Sequence, residues 1–175
     1  MLELARDDDR PAVNAMARQV HAMHVAWRPD LYEMIPEFYT EERFFQAVEE
    51  KQLYVAKING TVVGYTLLLV REVNHPGTVK RKVMRIDEIC VEESCRGQGI
   101  GREMMEDVRA LARAFGCRDL QLGVYPQNDA AVAFYEKCGF VRSHVVKDFF
   151  TENYDHPIIE CGMLLRDMVY LKKTM

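Results

Sequence analysis

Three glycines at alternate positions make one segment of this sequence well suited to hold a phosphate group. They occur in the run Arg96-Gly97-Gln98-Gly99-Ile100-Gly101, which follows an apolar stretch ending at Val91 and precedes a pattern of helical spacing. Glycine lets consecutive backbone N–H groups point into one concavity, and the following helix adds its positive N-terminal end. The segment therefore favours a pyrophosphate site that needs no metal ion; the alternative is a turn that only packs a strand on a helix. Its spacing matches neither a Walker A loop nor the Gly-x-Gly-x-x-Gly dinucleotide loop.

Two adjacent carboxylates, Asp87 and Glu88, interrupt the apolar segment Arg85-Ile86-Asp87-Glu88-Ile89-Cys90-Val91. Because successive side chains of a strand point to opposite faces, we expect one acid on each face of the sheet. A charge on a covered face is costly unless it is paired or opens to a cleft. The pair therefore has two interpretations. One is a general base in a functional cleft, and the other is a structural salt bridge with Arg85 or a later basic residue.

The composition is typical of a globular protein and argues against several other classes. The chain has 175 residues, of which 49% are apolar and 29% charged, and this predicts one globular domain with a real core. The net charge of −4 disfavours a nucleic-acid-binding protein, which is usually basic. Five cysteines without a C-x-x-C pair argue against a zinc or redox centre. With no signal-peptide pattern at the N-terminus and no apolar run of membrane-spanning length, we expect a cytoplasmic protein without a membrane partner.

The elements that must position these groups follow from hydrophobic periodicity and turn signals. Asn59-Gly60 predicts a type I′ hairpin turn, and Asn128 is a good N-cap for a late helix. Hairpins first and a strand–helix–strand–helix order later imply an α/β fold, a mixed sheet with helices on both faces. We predict strands at 2–5, 53–56, 61–70, 83–91, 120–125, 141–147 and 161–171, helices at 13–27, 41–50, 104–115 and 128–137, and a loop over 71–82.

Two motifs resemble those of a known family. Arg96-x-x-Gly99-x-Gly101 after the strand Ile86–Val91 resembles the coenzyme A loop of the GNAT N-acetyltransferases, Q/R-x-x-G-x-G/A. The run Asn128-Asp129-Ala130-Ala131-Val132-Ala133-Phe134-Tyr135-Glu136-Lys137-Cys138-Gly139-Phe140 resembles the family's N-x-x-A-x-x-(F/L)-Y-x-x-x-G-F. The motifs stand in the family's order, and the match covers residues 83 to 141. The resemblance implies one domain over 1–175, with a mostly antiparallel, twisted sheet whose two central strands splay into a V that holds acetyl-CoA.

The same resemblance assigns roles to individual residues. Backbone groups of Ile89, Cys90 and Val91 would meet the pantetheine and the acetyl carbonyl. The amides from Arg96 to Gly101 would hold the pyrophosphate, with Arg102 near enough to help. Asn128 would touch the pantetheine arm or cap its helix, and the coenzyme site would also include Ala131 and Tyr135.

Direct acetyl transfer to an amine needs a base for the ammonium proton and an acid for the departing thiolate, and it needs no covalent enzyme intermediate. Tyr135 is the expected acid, because the matching tyrosine of the family faces the coenzyme sulfur; the alternative is a ring that only packs its helix on the sheet. The base is Asp87 or Glu88, since a similar acidic pair lies at this place on the strand in polyamine acetyltransferases.

The expected acceptor is the primary amine of a small molecule. A cationic acceptor is favoured by the acidic residues near the cleft, Asp87, Glu88, Glu92 and Glu93. Ring side chains either line the acceptor pocket or pack in the core: His24, Trp27, Tyr32 and Phe38. A protein N-terminus or lysine is the alternative acceptor, and a non-catalytic acyl-CoA sensor is the alternative of another class. The late apolar run 169–171 allows a homodimer but fits core packing equally well.

Overall fold

A computed structural model describes residues 1–27, 34–73, 80–124, 129–153, 157–160 and 163–175. The strands are β1 (Leu2–Leu4), β2 (Leu53–Ile58), β3 (Thr61–Val73), β4 (Arg81–Val91), β5 (Cys117–Val124), β6 (Val141–Val146), β7 (Ile158–Glu160), β8 (Met163–Leu165) and β9 (Met168–Thr174). The helices are α1 (Arg10–Trp27), α2 (Glu41–Glu49), α3 (Ile100–Ala114), α4 (Asp129–Lys137) and α5 (Phe149–Asn153). No helix within these ranges is long and apolar enough to cross a membrane.

Seven strands form one sheet in the order β1-β2-β3-β4-β5-β9-β6. Every neighbouring pair is antiparallel except β4 and β5, which are parallel. The β2–β3 turn has positive φ at both central residues, 51° at Asn59 and 80° at Gly60, as a type I′ turn requires. The predicted hairpin and the mostly antiparallel mixed sheet are therefore confirmed.

Apolar side chains cover both faces of this sheet. On one face, α3 packs Met105 and Val108 against a cluster that includes Leu122 of β5. On the other face, α1 and α2 contribute Val13 and Phe44 to a second cluster. The amphipathic spacing of these helices buries one side of each, so the predicted arrangement of helices on both faces is confirmed.

Two predicted segments are wrong. The loop over 71–82 is shorter, because β3 continues to Val73 and β4 already begins at Arg81. Both ends of the predicted loop instead belong to a two-stranded extension of the sheet, in which Glu72 pairs with Lys82. The single late strand over 161–171 is also wrong. Its residues divide between β8 of a separate two-stranded sheet and β9 of the main sheet, while 161–162 lie outside the described residues.

Two features of β4 shape the candidate site: a β-bulge and an early end to its pairing with β5. Leu67 and Leu68 of β3 pair with Glu88 and Ile86, which leaves Asp87 as an extra residue in a β-bulge. The pairing of β4 with β5 ends at Arg85 and Gln121. Beyond that point the described part of β4 has a register partner only in β3, and the strands separate into the expected V.

Candidate active site

Two cavities share lining residues where β4 and β5 separate. The glycine-loop cavity, of about 440 Å³, lies between β4, the segment from Cys95 to Arg102 and α4. The carboxylate cavity, of about 290 Å³, lies between β4 from Ile86 to Cys90, the end of β5, α1 and the chain before α2. Ile89 and Tyr135 line both cavities, so the two spaces meet at these side chains.

The glycine loop has the backbone that an anion cradle needs. Gly97 and Gly99 adopt φ of 76° and 87°, and a Cβ at either position would point into open space. The amides of Arg102 and Glu103 donate to the Gly99 carbonyl and begin the hydrogen bonds of α3. Within the described segments the amides from Gly97 to Gly101 have no backbone acceptor. They are free to bind phosphate oxygens at a helix N-terminus, so the residues fit a pyrophosphate.

The other predicted coenzyme residues differ in what their side chains can do. Arg102 lines the glycine-loop cavity, whereas Arg96 also donates from Nε to the Val91 carbonyl at 3.0 Å. The Gln98 side chain donates to the Ser94 carbonyl at 3.2 Å, and Gln98 lines neither cavity. Two further predicted residues have core positions: Ile100 is buried, and Ala131 packs against the core and lines neither cavity. Asn128 lies outside the described residues.

Tyr135, the predicted acid, reaches the junction from α4. Its ring packs against Phe134 and Phe140, with centroids 5.3 and 5.9 Å away. Burial, aided by the nearby Cys138, raises the pKa of Tyr135 to about 12. Its hydroxyl has no hydrogen-bond partner in the part of the chain that is described. The hydroxyl is therefore protonated at neutral pH and available to a ligand in either cavity.

Glu88 carries the best-held carboxylate of the site. Its Oε2 accepts hydrogen bonds of 3.0 Å from both the Tyr39 and the Tyr65 hydroxyls. Its Oε1 lies 3.6 Å from the Arg43 guanidinium, and the side chain is 24% exposed. Burial raises the pKa of Glu88, and the two tyrosine hydrogen bonds and Arg43 partly oppose this rise. A held carboxylate whose pKa is raised is a stronger proton acceptor than an ordinary one.

Asp87 and Glu88 line the same cavity, so the expectation of one acid on each face is wrong. The bulge at Asp87 breaks the alternation of the strand and brings both acids to the side where α1 and α2 pack. The Asp87 carboxylate is in contact with Arg85 Nε in an ion pair. The structural salt bridge therefore belongs to Asp87, and the proton-accepting geometry to Glu88.

The remaining wall of the carboxylate cavity is partly aromatic. His21 and Phe38 line it, with their rings 5.8 Å apart. Phe38, one of the ring side chains predicted for an acceptor pocket, therefore lines this cavity. Tyr32 and the side chains of His24 and Trp27 lie outside the described part of the structure.

Cys90 also lines the cavity, and burial raises the pKa of its thiol. Glu92 instead caps a turn by accepting from the Ser94 amide at 2.8 Å.

Sequence reasoning missed three partners of Glu88: Tyr39, Arg43 and Tyr65. Tyr39 and Tyr65 are almost fully buried, at 0% and 3% exposure. A buried phenol needs a polar partner, so a tyrosine within the apolar run of β3 is a usable signal for Tyr65. No comparable pattern marks Arg43, because its contact with Glu88 depends on how α2 packs on the sheet.

Known proteins are similar to this chain in sequence and in structure. An N-acetyltransferase of Bacillus subtilis named YvbK, itself uncharacterized, is 32% identical over 125 residues, 71% of this chain and 75% of the relative. A mutant of the BH1408 protein from Bacillus halodurans superimposes with a TM-score of 0.72 at 29% identity, covering 79% of this chain and 91% of that one. A GNAT family acetyltransferase from Elizabethkingia anophelis, with acetyl-CoA bound, gives 0.59 at 29% identity, covering 78% and 84%.

A family model agrees with these similarities. The model of the acetyltransferase (GNAT) family matches residues 18–140, which include the glycine loop, both cavities' β4 residues and the α4 motif. This match spans most of the chain. The chain belongs to the GNAT acetyltransferase family.

Proposed function

We propose that this acetyltransferase moves an acetyl group directly from acetyl-CoA to a primary amine of a small cationic molecule. The observation that carries the proposal is the junction of the two cavities at Ile89 and Tyr135. One cavity has unpaired amides suited to a pyrophosphate, and the other has a carboxylate suited to an ammonium. A donor and an acceptor bound there would meet beside the Tyr135 hydroxyl.

The glycine-loop cavity would hold the coenzyme. The free amides from Gly97 to Gly101 and the positive end of α3 favour the pyrophosphate, and Arg102 adds a charge. The backbone of Ile89 to Val91 lies at the splay, where it can bind the pantetheine arm and stabilise the oxyanion of a tetrahedral intermediate. When bound, acetyl-CoA supplies an activated thioester. The similar protein from Elizabethkingia anophelis carries this same compound.

The carboxylate cavity favours a small cation. Its charged lining residues are Asp87 and Glu88, and no lysine or arginine is among the described residues that line it. The rings of Phe38 and Tyr65 add apolar surface to the wall, which can pack against the carbon chain of an amine. At about 290 Å³ the space suits a small molecule rather than a folded chain.

Glu88 and Tyr135 would divide the proton transfers. Glu88, with its raised pKa, would take a proton from the acceptor ammonium, directly or through a water. Tyr135, protonated at neutral pH, would donate to the departing sulfur, and the second proton that the nitrogen loses as the amide forms would restore the phenol. Asp87, paired with Arg85, would add negative charge without taking the proton.

An amine panel tests this proposal through the release of coenzyme A thiol. The panel contains a linear diamine, the monoamine of the same chain length, an amino acid and a short peptide with a free N-terminus. We expect the diamine to exceed the matched monoamine by about tenfold or more in kcat/KM, since a second ammonium adds one ionic contact. No thiol release with any amine would contradict N-acetyl transfer. A peptide faster than the diamine would contradict the small cationic acceptor.

A further inference from the structure

Arg43 of α2 is fixed against Glu88 by several contacts. Its guanidinium carbon lies 4.8 Å from the ring centroid of Phe38 and 4.7 Å from that of Tyr39. One terminal nitrogen donates to the Phe38 carbonyl at 3.2 Å, and the other lies 3.6 Å from Glu88 Oε1. Stacking on two rings and a backbone hydrogen bond restrict a side chain that is otherwise half exposed, so its charge stays beside the carboxylate.

The two oxygens of Glu88 have different surroundings. Oε2 is held by the Tyr39 and Tyr65 hydroxyls, whereas Oε1 faces Arg43. Tyr65 lines the carboxylate cavity, but Tyr39 and Arg43 do not. Arg43 therefore approaches the carboxylate from the α2 side and does not occupy the space of an acceptor.

The charge balance around Glu88 depends on this arginine. The titratable and charged groups that face Glu88 or share its cavity come from every neighbouring element: His21 of α1, Tyr39, Arg43 of α2, Tyr65 of β3, Asp87 and Cys90 of β4, and Tyr135 of α4. Asp87 disfavours a second negative charge, and burial does the same. Among these groups Arg43 is the permanent cation that faces Glu88, whereas a second arginine, Arg85 of β4, pairs with Asp87.

We propose that Arg43 is a positioning residue of the reaction, which keeps Glu88 ionised and orients its carboxylate from behind the acceptor cavity. This inference rests on the proposed function, because it takes Glu88 as the base. Arg43 then acts on acetyl transfer without touching either substrate. Without its charge, a higher pH is needed to ionise the base.

The test is the pH profile of kcat/KM for the best amine of the panel, measured for wild type, Arg43→Gln and Arg43→Lys. For Arg43→Gln we expect a loss of about threefold or more near pH 6 that narrows to less than about twofold near pH 9. Arg43→Lys keeps the charge and is expected to restore most of the activity near pH 6. Arg166→Gln is the matched control, since it removes an exposed arginine that pairs with Asp148 far along the chain.

Two results would overturn the inference. One is an Arg43→Gln profile that superimposes on that of wild type. The other is an equal loss at every pH that Arg43→Lys does not restore, because this would indicate a packing role. Circular dichroism of each variant checks that it is folded. Failure of the proposed function has a different signature, in which Glu88→Gln keeps wild-type activity or no amine is acetylated.

Discussion

The Tyr65 hydroxyl on β3 donates a hydrogen bond of 3.0 Å to Oε2 of Glu88 on the neighbouring strand β4. The bulge at Asp87 allows this contact, because it turns Glu88 towards the face on which Tyr65 is buried. A partly buried carboxylate is stable in such a place only with hydrogen-bond partners. The contact therefore holds the carboxylate that we propose as the proton acceptor at the wall of the cavity that we assign to the amine.

Replacement of Glu88 is expected to separate catalysis from coenzyme binding. Glu88→Gln keeps the shape of the side chain but removes the proton acceptor, so kcat/KM for the amine should fall by about 10²- to 10⁴-fold. The affinity for acetyl-CoA, measured by calorimetry, should change by less than about twofold. Asp87→Asn is the companion variant, and we expect a loss of less than about tenfold because Asp87 is already paired with Arg85. A larger loss for Asp87→Asn than for Glu88→Gln would reverse the assignment of the base.

Glu88→Gln is also expected to change how the free energy of unfolding depends on pH. Burial raises the pKa of Glu88 in the folded protein above the unfolded value of about 4.3. The stability that protonated Glu88 contributes is thus complete below about pH 4.3 and is lost as the pH rises through the raised pKa. Because Glu88→Gln stays uncharged, its Tm relative to wild type should rise across this window and then level off. Thermal melts at several pH values measure this difference, and a Tm difference independent of pH would contradict it.

Removal of the Tyr135 hydroxyl is expected to slow turnover without weakening coenzyme binding. Tyr135→Phe keeps the ring contacts with Phe134 and Phe140 but removes the protonated donor. We expect kcat to fall by about tenfold to hundredfold, with the acetyl-CoA dissociation constant within about twofold of wild type. Steady-state kinetics and calorimetry on the same preparation give both quantities. Unchanged turnover would remove Tyr135 from the chemistry and leave it a packing role.

An alanine at Gly99 is expected to weaken acetyl-CoA binding through the backbone. Gly99 has a φ of 87°, which alanine adopts only at a cost of about 1–2 kcal/mol, so the loop amides should move out of alignment. We expect the dissociation constant to rise by about tenfold or more. Gly60→Ala is the matched control, because Gly60 has a φ of 80° and equally open space but lies in the β2–β3 turn. Equal affinities for the two variants in calorimetry would show that the loop does not bind the coenzyme.

Much of the fold could be predicted because it rests on local patterns. Asn59-Gly60 specifies a turn type by itself, and the apolar spacing of Met104, Met105 and Val108 specifies the buried side of α3. The strand predicted over 161–171 was wrong for the opposite reason. Whether its described residues form one strand or belong to two depends on which strands they pair with, and this is not a local property of the sequence.

In the candidate site, too, local patterns were predictable and contacts between distant segments were not. The glycine loop is a contiguous signal, so its position before α3 was predictable from Gly97 and Gly99. The choice between Asp87 and Glu88 was not predictable, because a bulge is set by the register of β3 on β4. Arg43 was missed because α2 brings it to Glu88 across 45 positions of the chain, and no local pattern reports such a contact.

Direct transfer is tested by the initial-velocity pattern with acetyl-CoA and the best amine varied together. If donor and acceptor occupy the two cavities that meet at Tyr135, both must be bound before transfer. We expect double-reciprocal lines that intersect, the pattern of a ternary complex. Parallel lines would indicate a covalent acetyl-enzyme, for which Cys90 in the carboxylate cavity is the available nucleophile. That result would contradict direct transfer between the two cavities.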